Sequence, residues 1–414
     1  MTSRTLIALA AVWVPILAVA CSGSDDSAGG PTGTSDGGSS GDATVSADGA
    51  IVDPSHDGGN PQDSGANRDG EASLAEGGYT YLRGVNNVNF LYTDGYGNGY
   101  GPAVTTLASY QYLYSRGIRL IRLEVPWGPV SSAAPGLQNT LSGTLDATVL
   151  AEVHQEVDNL HAAGLVAALD VHSSCHFPGS KGSAICGNGI TTDDVKSLWT
   201  QLSAAFQADP GVYAYDLMNE PYNITSATWK TFSQAMVDAI RARGDDKLLW
   251  VEGINYSNAG QFSALNGTPW ITDPKANILY SGHTYPPTST GGSWQSTTYN
   301  ATSDAAWLTE LSNFTSWCST NHVKCGIGEM AWPASTIAPD WMQWNALGER
   351  WYTAADAANL TVTFFTASST QNNPNDIYVH DGGNDVDLNT KPSTLRTIDT
   401  ALSQAVVLEA HPSK

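Results

Sequence analysis

After a polar N-terminal region, short apolar stretches of the chain alternate in regular order with longer stretches of mixed polarity. The short ones are nearly continuous runs of Val, Leu, Ala and aromatic residues, as in LVAALDVH at 165–172 and KLLWVEG at 247–253. The longer ones repeat apolar residues every three to four positions, as over 145–163, where Val149 and Val153 recur. Short apolar runs of this kind indicate buried strands, and the longer period indicates amphipathic helices.

The pattern predicts eight strands with helices between them. The predicted strands cover residues 79–88, 118–126, 165–172, 212–220, 247–253, 278–285, 323–331 and 360–368. The predicted helices cover residues 103–116, 145–163, 192–208, 226–243, 302–321, 339–359 and 394–408. Because near-continuous apolar strands are buried on both faces, we expect a parallel sheet covered by helices. Eight such units predict an α/β fold, a single (β/α)8 TIM barrel over residues 79–414.

A doubly wound open sheet is the alternative arrangement of these elements. It requires a glycine-rich phosphate loop directly between the first strand and its helix, and the glycines within 95–101 do not form a turn of that kind. The barrel makes the sharper prediction, because the chemistry of such barrels sits at the carboxyl ends of the strands.

The first 78 residues do not follow this pattern. Residues 1–21 have the form of a targeting segment, in which Arg4 precedes an apolar run at 6–20 that is too short to span a membrane. Small residues before Cys21 resemble a bacterial lipoprotein signal, in which the cysteine is lipidated; an ordinary secretory signal with a stray cysteine is the alternative. Residues 22–78 are rich in Gly, Ser and Asp with almost no large apolar residue, which predicts a disordered tether.

The chain is strongly acidic, and the tether carries much of that charge. It holds eleven Asp and Glu residues against one Arg, so it contributes −10 to the formal charge of −22. This balance argues against a nucleic-acid partner and says little about the site. We predict an exported monomer, placed at the cell envelope by a lipid anchor on Cys21 or released outside the cell, with no other membrane contact.

Four further cysteines fall into two close pairs, Cys175 with Cys186 and Cys318 with Cys325. Four cysteines allow three connectivities, and in an exported chain we expect the two local disulfides. A zinc site is the alternative, but neither pair has the C-x-x-C spacing typical of one.

Polar and titratable residues collect at the carboxyl ends of the predicted strands. Two are glutamates that end short apolar strands, Glu220 on strand four and Glu329 on strand seven. The others are Asn86, Asn87, Arg122, Glu124, His172, Asn219, Glu252, His283, Tyr285 and Trp332. Glycosidic bond cleavage requires two facing carboxyl groups, one protonated and one ionised. The sequence therefore predicts a glycosidase site at the barrel mouth.

The order of these residues resembles that of glycoside hydrolase family 5. The matching residues are Arg83-Gly84-Val85-Asn86, Arg122, His172, Asn219-Glu220-Pro221, His283 with Tyr285, and Gly328-Glu329. The resemblance covers residues 79–405 and implies a (β/α)8 barrel that hydrolyses β-glycosidic bonds with retention of configuration. It implies a polysaccharide substrate and neither a metal nor a cofactor.

The resemblance also implies a role for each matching side chain. Glu220 would be the general acid and later the general base, and Glu329 the nucleophile, with the two carboxyl groups about 5–5.5 Å apart. Asn219 would hold the sugar 2-hydroxyl, while Arg122 and Tyr285 would position the nucleophile and keep it ionised. The histidines that end strands three and six, His172 and His283, would bind substrate or tune the two carboxyls.

The sequence departs from the family pattern at three places. The family expects a tryptophan at the end of strand eight, where this chain reads FFTAS at 364–368, and we hypothesise that Trp332 supplies a ring instead. Glu124 stands where the family often has proline, and Glu252 adds a further carboxylate to the mouth. The candidate aromatics for outer sugar subsites are Trp127, Phe177, Tyr222 and Trp294.

The predicted substrate is a β-1,4-glucan cut by endo action. β-Mannan, mixed-linkage glucan and exo-cleaved β-1,3-glucan remain alternatives, because specificity resides in loops. Two alternative functions belong to other classes of protein: a lipid-anchored glycan-binding protein on an inactive barrel, and a metal-dependent hydrolase. The second requires a histidine pair on strand one, which this strand lacks.

Overall fold

The computed structural model describes residues 79–91, 104–130, 134–179, 182–286, 299–332, 340–367 and 404–414. Eight of its strands form a closed barrel: β1 (Arg83–Asn87), β2 (Leu120–Val125), β3 (Val166–Val171), β4 (Val212–Asp216), β5 (Leu248–Glu252), β6 (Ile278–Thr284), β7 (Lys324–Met330) and β8 (Thr361–Phe364). Each strand pairs in parallel with its neighbours in sequence, and β8 closes on β1. The predicted (β/α)8 barrel is confirmed, and the open sheet is excluded.

Helices connect the strands and cover the outside of the barrel. They are α1 (Leu107–Ser115), α2 (Ala147–Ala162), α3 (Thr192–Phe206), α4 (Ser226–Ala242), α5 (Phe262–Asn266), α6 (Ala301–Asn321), α7 (Trp341–Ala357) and α8 (Gln404–Ala410). Polar side chains cap the starts of several of them, as where Thr191 and Asp194 form a capping box on α3. The short α5 lacks a helical period long enough to predict. The predicted helix at 394–408 falls outside the described residues up to 403.

The barrel interior has two layers of different character. The lower layer is apolar and contains Leu82, Leu120, Val166, Ala168, Ala214, Leu248, Trp250 and Leu279. Above it, towards the carboxyl ends of the strands, the inward-facing residues are charged or polar. Because side chains alternate across each strand, Leu120 on β2 is followed on the same face by Arg122 and Glu124. The barrel therefore carries its polar groups on a packed apolar floor.

The fourth strand is shorter than predicted, because the chain leaves the strand conformation before the predicted active residues. β4 ends at Asp216, and the chain continues irregularly while Leu217 N–H donates to Trp250 O and Asn219 N–H to Val171 O. Glu220 then adopts φ +46°, a left-handed conformation that a strand cannot contain. The predicted strand through 220 is therefore wrong in its last residues, although it places Asn219 and Glu220 at the correct rim.

Both predicted local disulfides are present, Cys175–Cys186 and Cys318–Cys325. Because the four thiols are bonded to one another, they are not available as zinc ligands. The first closes the loop after β3, which also carries three short paired strands, His176–Phe177, Ala184–Cys186 and Gly189–Ile190. The disulfide thus fixes a rim loop beside the barrel mouth.

The predicted signal segment 1–21 with Cys21, and the predicted tether 22–78, lie outside the described residues. No helix in the parts of the chain that are described has both the length and the apolar character needed to cross a bilayer.

Candidate active site

The side chain of Arg122 lies fully buried on β2 at the centre of the barrel mouth. Its guanidinium forms ion pairs with five carboxylates, which belong to β2, β3, β4, β5 and β7. They are Glu124 at 3.3 Å, Asp170 at 3.2 Å, Asp216 at 2.8 Å, Glu252 at 3.0 Å and Glu329 at 3.0 Å. One guanidinium cannot neutralise five carboxylates, so the ionisation of each depends on its other neighbours.

Burial shifts two of these carboxyls towards their neutral form. It raises the pKa of Glu124 and that of Asp216 well above the usual range, although Arg122 opposes the shift in both. Both side chains are fully buried, and Asp216 lies directly beside the apolar floor. A proton on either group reduces the negative charge that the barrel mouth must hold.

Glu329 is the carboxyl of the site that is held ionised. Burial opposes its charge, but the charges of His283, Arg122 and His172, with a hydrogen bond from Tyr285, lower the pKa of Glu329 to about 2. Arg122 Nη1 donates to Glu329 Oε1 at 3.0 Å, and Tyr285 Oη donates to Oε2 at 2.7 Å. Glu329 is therefore a carboxylate at any ordinary pH, with both oxygens oriented.

Glu220 sits in the opposite environment. Burial and then the negative charge of Glu329 raise the pKa of Glu220, and the hydrogen bond to His283 only partly opposes them. His283 Nδ1 lies 2.9 Å from Glu220 Oε1, and the Glu220 backbone N–H donates to Glu252 Oε2 at 2.6 Å. One carboxylate oxygen of Glu220 and one of Glu329 lie within 4.8 Å of each other. The two carboxyls face each other with their pKa values displaced in opposite directions.

His283 connects the two halves of the site. Burial alone would lower its pKa, but Glu252 and Glu329 raise it well above the ordinary value. Its Nε2 lies 2.9 Å from Glu252 Oε1. Gly328 provides the space for this ring, since a Cβ there would lie 2.7 Å from His283 Nε2. A glycine directly before Glu329 is therefore a steric requirement of the site.

Asn219 and His172 form the third side of the mouth. Asn219 Oδ1 accepts from Arg122 Nη2 at 2.9 Å, and its Nδ2 lies 3.1 Å from His172 Nε2. His172 Nδ1 lies 2.8 Å from Asp170 and 3.2 Å from Glu124. Burial alone would lower the pKa of His172, but these two carboxylates raise it to about 9. Glu124 thus helps to raise the pKa of His172 and does not take the place of either facing glutamate.

Most of the predicted rim residues come together here. The structure gathers Asn86, Arg122, Glu124, His172, Asn219, Glu220, Glu252, His283, Tyr285 and Glu329 around one mouth. Asn87 does not belong, because it is next to Asn86 on β1 and its amide points the other way, to Glu156 and Tyr110. Strand alternation explains the difference.

The structure corrects the hypothesis that Trp332 supplies a ring to the sugar site. The residue is 1% exposed, and its ring packs edge-on against Phe364 and Tyr352. Its Nε1–H donates to Asn345 Oδ1 at 2.9 Å. The indole is part of the core between β8 and α7 and offers no face to a sugar. Trp127 is likewise buried, with Phe177 against its ring, and Trp294 lies outside the described residues.

Phe365 is the aromatic residue that the tryptophan hypothesis overlooked. It directly follows β8, where the family pattern places tryptophan, and its ring meets that of Tyr285 edge-on at 6.3 Å. Asp216 was also missed, and a lone acid at an inward position of an apolar strand was the available signal. Asp216 lies inside the predicted strand 212–220 rather than at its end, whereas Phe365 is at a strand end but is not the tryptophan that was expected there.

Two trios of side chains have the spacing of possible metal ligands within the described residues. They are Glu124, Asp170 and His172, and Glu220, His283 and Glu329. In each trio the imidazole already bonds a carboxylate of the trio, His172 to Asp170 and His283 to Glu220. The proximity is thus accounted for by histidine–carboxylate pairs, and we assign no metal to either.

Comparison with known proteins gives a consistent result. The family described as "Cellulase (glycosyl hydrolase family 5)" matches residues 75–371. Endoglucanase 1 of Saitozyma flava is 28% identical over 270 residues, which cover 63% of this chain and 74% of the relative. Endoglucanase EG-II of Hypocrea jecorina is 25% identical over 219 residues, 51% of this chain and 49% of that one.

Among solved structures, the endoglucanase Cel5A of Pseudomonas stutzeri superposes with a TM-score of 0.64 at 20% identity. The match covers 80% of this chain and 94% of the other. At that identity, the likeness is one of fold.

Proposed function

Since this chain belongs to glycosyl hydrolase family 5 and is a glycoside hydrolase, we propose that it hydrolyses β-1,4-linked glucan with retention of configuration. Glu329 is the nucleophile and Glu220 the acid/base. The observation that carries the proposal is a pair of carboxyls within 4.8 Å, one pKa lowered to about 2 and the other raised. Retaining enzymes hold their carboxyls about 5–5.5 Å apart, whereas inverting ones need about 6.5–9.5 Å to admit a water.

In the first step, a Glu329 oxygen attacks the anomeric carbon while the glycosidic C–O bond breaks. The Glu220 proton passes to the departing oxygen, so the products are a glycosyl ester on Glu329 and a free sugar hydroxyl. Ester formation removes the Glu329 charge that raised the pKa of Glu220. Glu220 is then a stronger acid and remains ionised, ready for its second role.

In the second step, a water takes the place of the departed sugar. Glu220 removes its proton, the water oxygen attacks the anomeric carbon, and the ester bond to Glu329 breaks. Two inversions at one carbon give net retention. Return of the Glu329 charge restores the raised pKa of Glu220 and completes the cycle.

The neighbours of the two glutamates have separate tasks. Arg122 and Tyr285 each hold one oxygen of the nucleophile, which fixes its direction of attack. Asn219 is held by Arg122 and positioned to bind the 2-hydroxyl of the sugar under attack. His172 and His283 keep positive charge beside the nucleophile. Phe365, at the end of β8, is 7% exposed and packs edge-on against Tyr285.

The substrate assignment follows the curated relatives, which are named endoglucanases. β-Mannan, mixed-linkage glucan and β-1,3-glucan remain the alternatives on the same scaffold, and a glycan-binding protein is the alternative without turnover. We further propose that residues 1–21 direct export, that Cys21 carries a lipid, and that residues 22–78 tether a monomeric barrel at the cell envelope.

The test is product release from a panel of polysaccharides by the mature chain and by Glu329→Gln. The panel holds carboxymethylcellulose, mixed-linkage glucan, glucomannan, xylan and β-1,3-glucan. We expect β-1,4-glucan to be cut, the variant to lose at least about 1,000-fold in kcat and still bind substrate, and NMR to show the β-anomer forming first. First formation of the α-anomer, or equal turnover by the variant, would contradict the mechanism.

A further inference from the structure

Glu252 is a buried acid of the mouth that the two steps of the proposed reaction do not use. It is the last residue of β5 and is fully buried. Trp250, two positions earlier, belongs to the apolar floor, so strand alternation directs the Glu252 side chain into the barrel. The backbone of Glu252 is fixed as well, because the Trp229 indole N–H donates to its carbonyl oxygen at 2.7 Å. A rigid, buried carboxylate with no part in bond breaking is a candidate for holding the groups that react.

Glu252 contacts the main chain of Glu220 directly. The Glu220 backbone N–H donates to Glu252 Oε2 at 2.6 Å. Glu220 has φ +46°, a left-handed conformation that costs a residue other than glycine about 1–2 kcal/mol. The next residue, Pro221, has no N–H that could hold the turn from its other side. The hydrogen bond to Glu252 therefore stabilises an unfavourable backbone conformation at the acid/base.

Glu252 also reaches the carboxyl group of Glu220, through His283. Its second oxygen, Oε1, lies 2.9 Å from His283 Nε2, and His283 Nδ1 lies 2.9 Å from Glu220 Oε1. An imidazolium carries an N–H on both ring nitrogens, so one ring can bridge two carboxyls. Burial alone would lower the pKa of His283, and Glu252 is foremost among the charges that raise it. One side chain thus fixes the acid/base at both its backbone and its carboxyl group.

Only a carboxylate of this length serves both contacts. Donors approach Glu252 on both sides, Glu220 N–H at Oε2 and the cations Arg122 and His283 at Oε1. A glutamine amide has one oxygen and one NH2 group, so in either orientation the NH2 group would face a donor. Such a mismatch in a buried site costs about 1–3 kcal/mol. Aspartate keeps both oxygens but is shorter by one methylene group, so it cannot reach both sides from the same backbone position.

We propose that Glu252 is the positioning residue of the acid/base, which it holds through the Glu220 backbone N–H and through His283. This inference rests on the proposed function and assigns a task to a carboxylate that the reaction itself leaves idle. The role extends to both steps, because Glu220 gives a proton in the first and removes one in the second. The nucleophile depends less on Glu252, since Arg122 has four other carboxylate partners.

The test compares a leaving group that needs a proton with one that does not. Cellotetraose releases an alcohol, whose oxygen needs the Glu220 proton, whereas 2,4-dinitrophenyl β-cellobioside releases a stable phenolate. Glu252→Gln should lower kcat/KM about 100-fold on cellotetraose and at most about 3-fold on the aryl substrate. If another polysaccharide of the panel is the one cut, its tetrasaccharide and aryl glycoside take the place of these two substrates.

The second step gives an independent readout on the same aryl substrate. Its kcat should fall in Glu252→Gln, because removal of a proton from water needs a correctly placed Glu220. Azide attacks the anomeric carbon without losing a proton, so the ester bond to Glu329 breaks and a glycosyl azide forms. Added azide should therefore restore kcat in the variant and change that of wild type little. A damaged mouth would not respond to azide.

Two further variants control for charge and for folding. Asp216→Asn removes a different carboxylate from Arg122, so its effect should be the same factor on both substrates. Glu252→Asp keeps the negative charge beside Arg122 and His283 and carries the same comparison if Glu252→Gln does not fold. Its loss on cellotetraose should be about 10-fold, again with little change on the aryl substrate.

Glu220→Gln separates a failure of this inference from a failure of the proposed reaction. It should show the same contrast between the two substrates, with a larger loss on cellotetraose. If it does, while the Glu252 variants lose activity equally on both substrates or on neither, the reaction stands and the positioning role is overturned. If Glu220→Gln shows no contrast, Glu220 is not the acid/base, and the role of Glu252 falls with that assignment.

Discussion

At the scale of single residues, the ionisation of Glu329 depends on neighbours from three other strands. Arg122 reaches it from β2, His172 from the end of β3, and His283 and Tyr285 from β6 and the residue after it. None of these groups is close to Glu329 in sequence. The low pKa of the nucleophile is therefore a property of barrel closure, which brings all of them to one rim.

We expect Tyr285→Phe to raise the pKa of Glu329 above its value of about 2. The hydrogen bond from Tyr285 Oη favours the charged carboxylate, so its loss favours the protonated form. The acid limb of the kcat/KM profile should then move to higher pH, and kcat should fall by about 10–100-fold. Tyr280→Phe, a buried tyrosine outside the mouth, is the control; an unshifted acid limb would contradict the assigned role.

At the scale of the elements, a buried carboxyl outside the mouth links β1 to the helices that cover it. Glu156 on α2 accepts hydrogen bonds from Asn87 Nδ2 and Thr105 N–H, and from the Tyr110 hydroxyl of α1. Burial raises the pKa of Glu156 to about 7, and the hydrogen bonds from Thr105, Tyr110 and Asn87 only partly oppose it. This group makes the packing of β1, α1 and α2 sensitive to pH.

The free energy of unfolding should therefore fall as the pH rises. The folded-state pKa of Glu156 lies above its ordinary value, so its contribution is fully present below about pH 4.5 and is lost as pH rises through about 7. The difference between the ordinary pKa of 4.5 and about 7 corresponds to a loss of about 3.4 kcal/mol. Urea unfolding of wild type and Glu156→Gln at pH 5 and pH 8 measures it. The variant should lose much of the difference; an equal pH dependence in both proteins would contradict the prediction.

The strands and helices also show how much of the fold and the site can be predicted from the sequence. Near-continuous apolar strands indicate a barrel because both of their faces are buried. The carboxyl end of a strand can be recognised where the apolar run stops. Whether a rim residue points inwards depends on pairing register, which is not local. Asn87 points away from the mouth because it alternates with Asn86 on β1, and Trp332 lies just beyond β7, whose register shifts between Ile327 and Glu329. The rings of His176, Tyr222 and Tyr256 stack on one another although they lie in three loops distant in sequence, so no local pattern could predict the contact.

At the scale of the whole molecule, the chemistry is confined to the barrel. Every contact described for the mouth comes from residues 86–365, and the barrel base is closed by Arg83 with Asp356 and by Ser413 and Lys414. We therefore expect residues 79–414 to form the catalytic domain, with residues 1–78 as the predicted signal and tether.

We expect a chain of residues 79–414 to keep the kcat/KM of the mature protein on soluble glucan within about 2-fold. Its behaviour towards membranes should differ, because only the longer chain carries Cys21. The measurements are initial rates for both proteins and partition of each into detergent after expression in a bacterial host. A large loss of activity in the shorter chain would show that the first 78 residues contribute to the barrel.

The five ion pairs of Arg122 also constrain how this enzyme can change over generations. Any single replacement among the five carboxylates redistributes charge over the other four, because all of them share one guanidinium. The cost of a second replacement therefore depends on which came first, and the order of mutations matters as much as their identity. Among the described residues, the ion pairs of Arg122 involve only strand carboxylates, so the rim loops can vary more independently. New substrate preferences are thus open to gradual change in the loops, while the charged centre is expected to change only in coordinated steps or not at all.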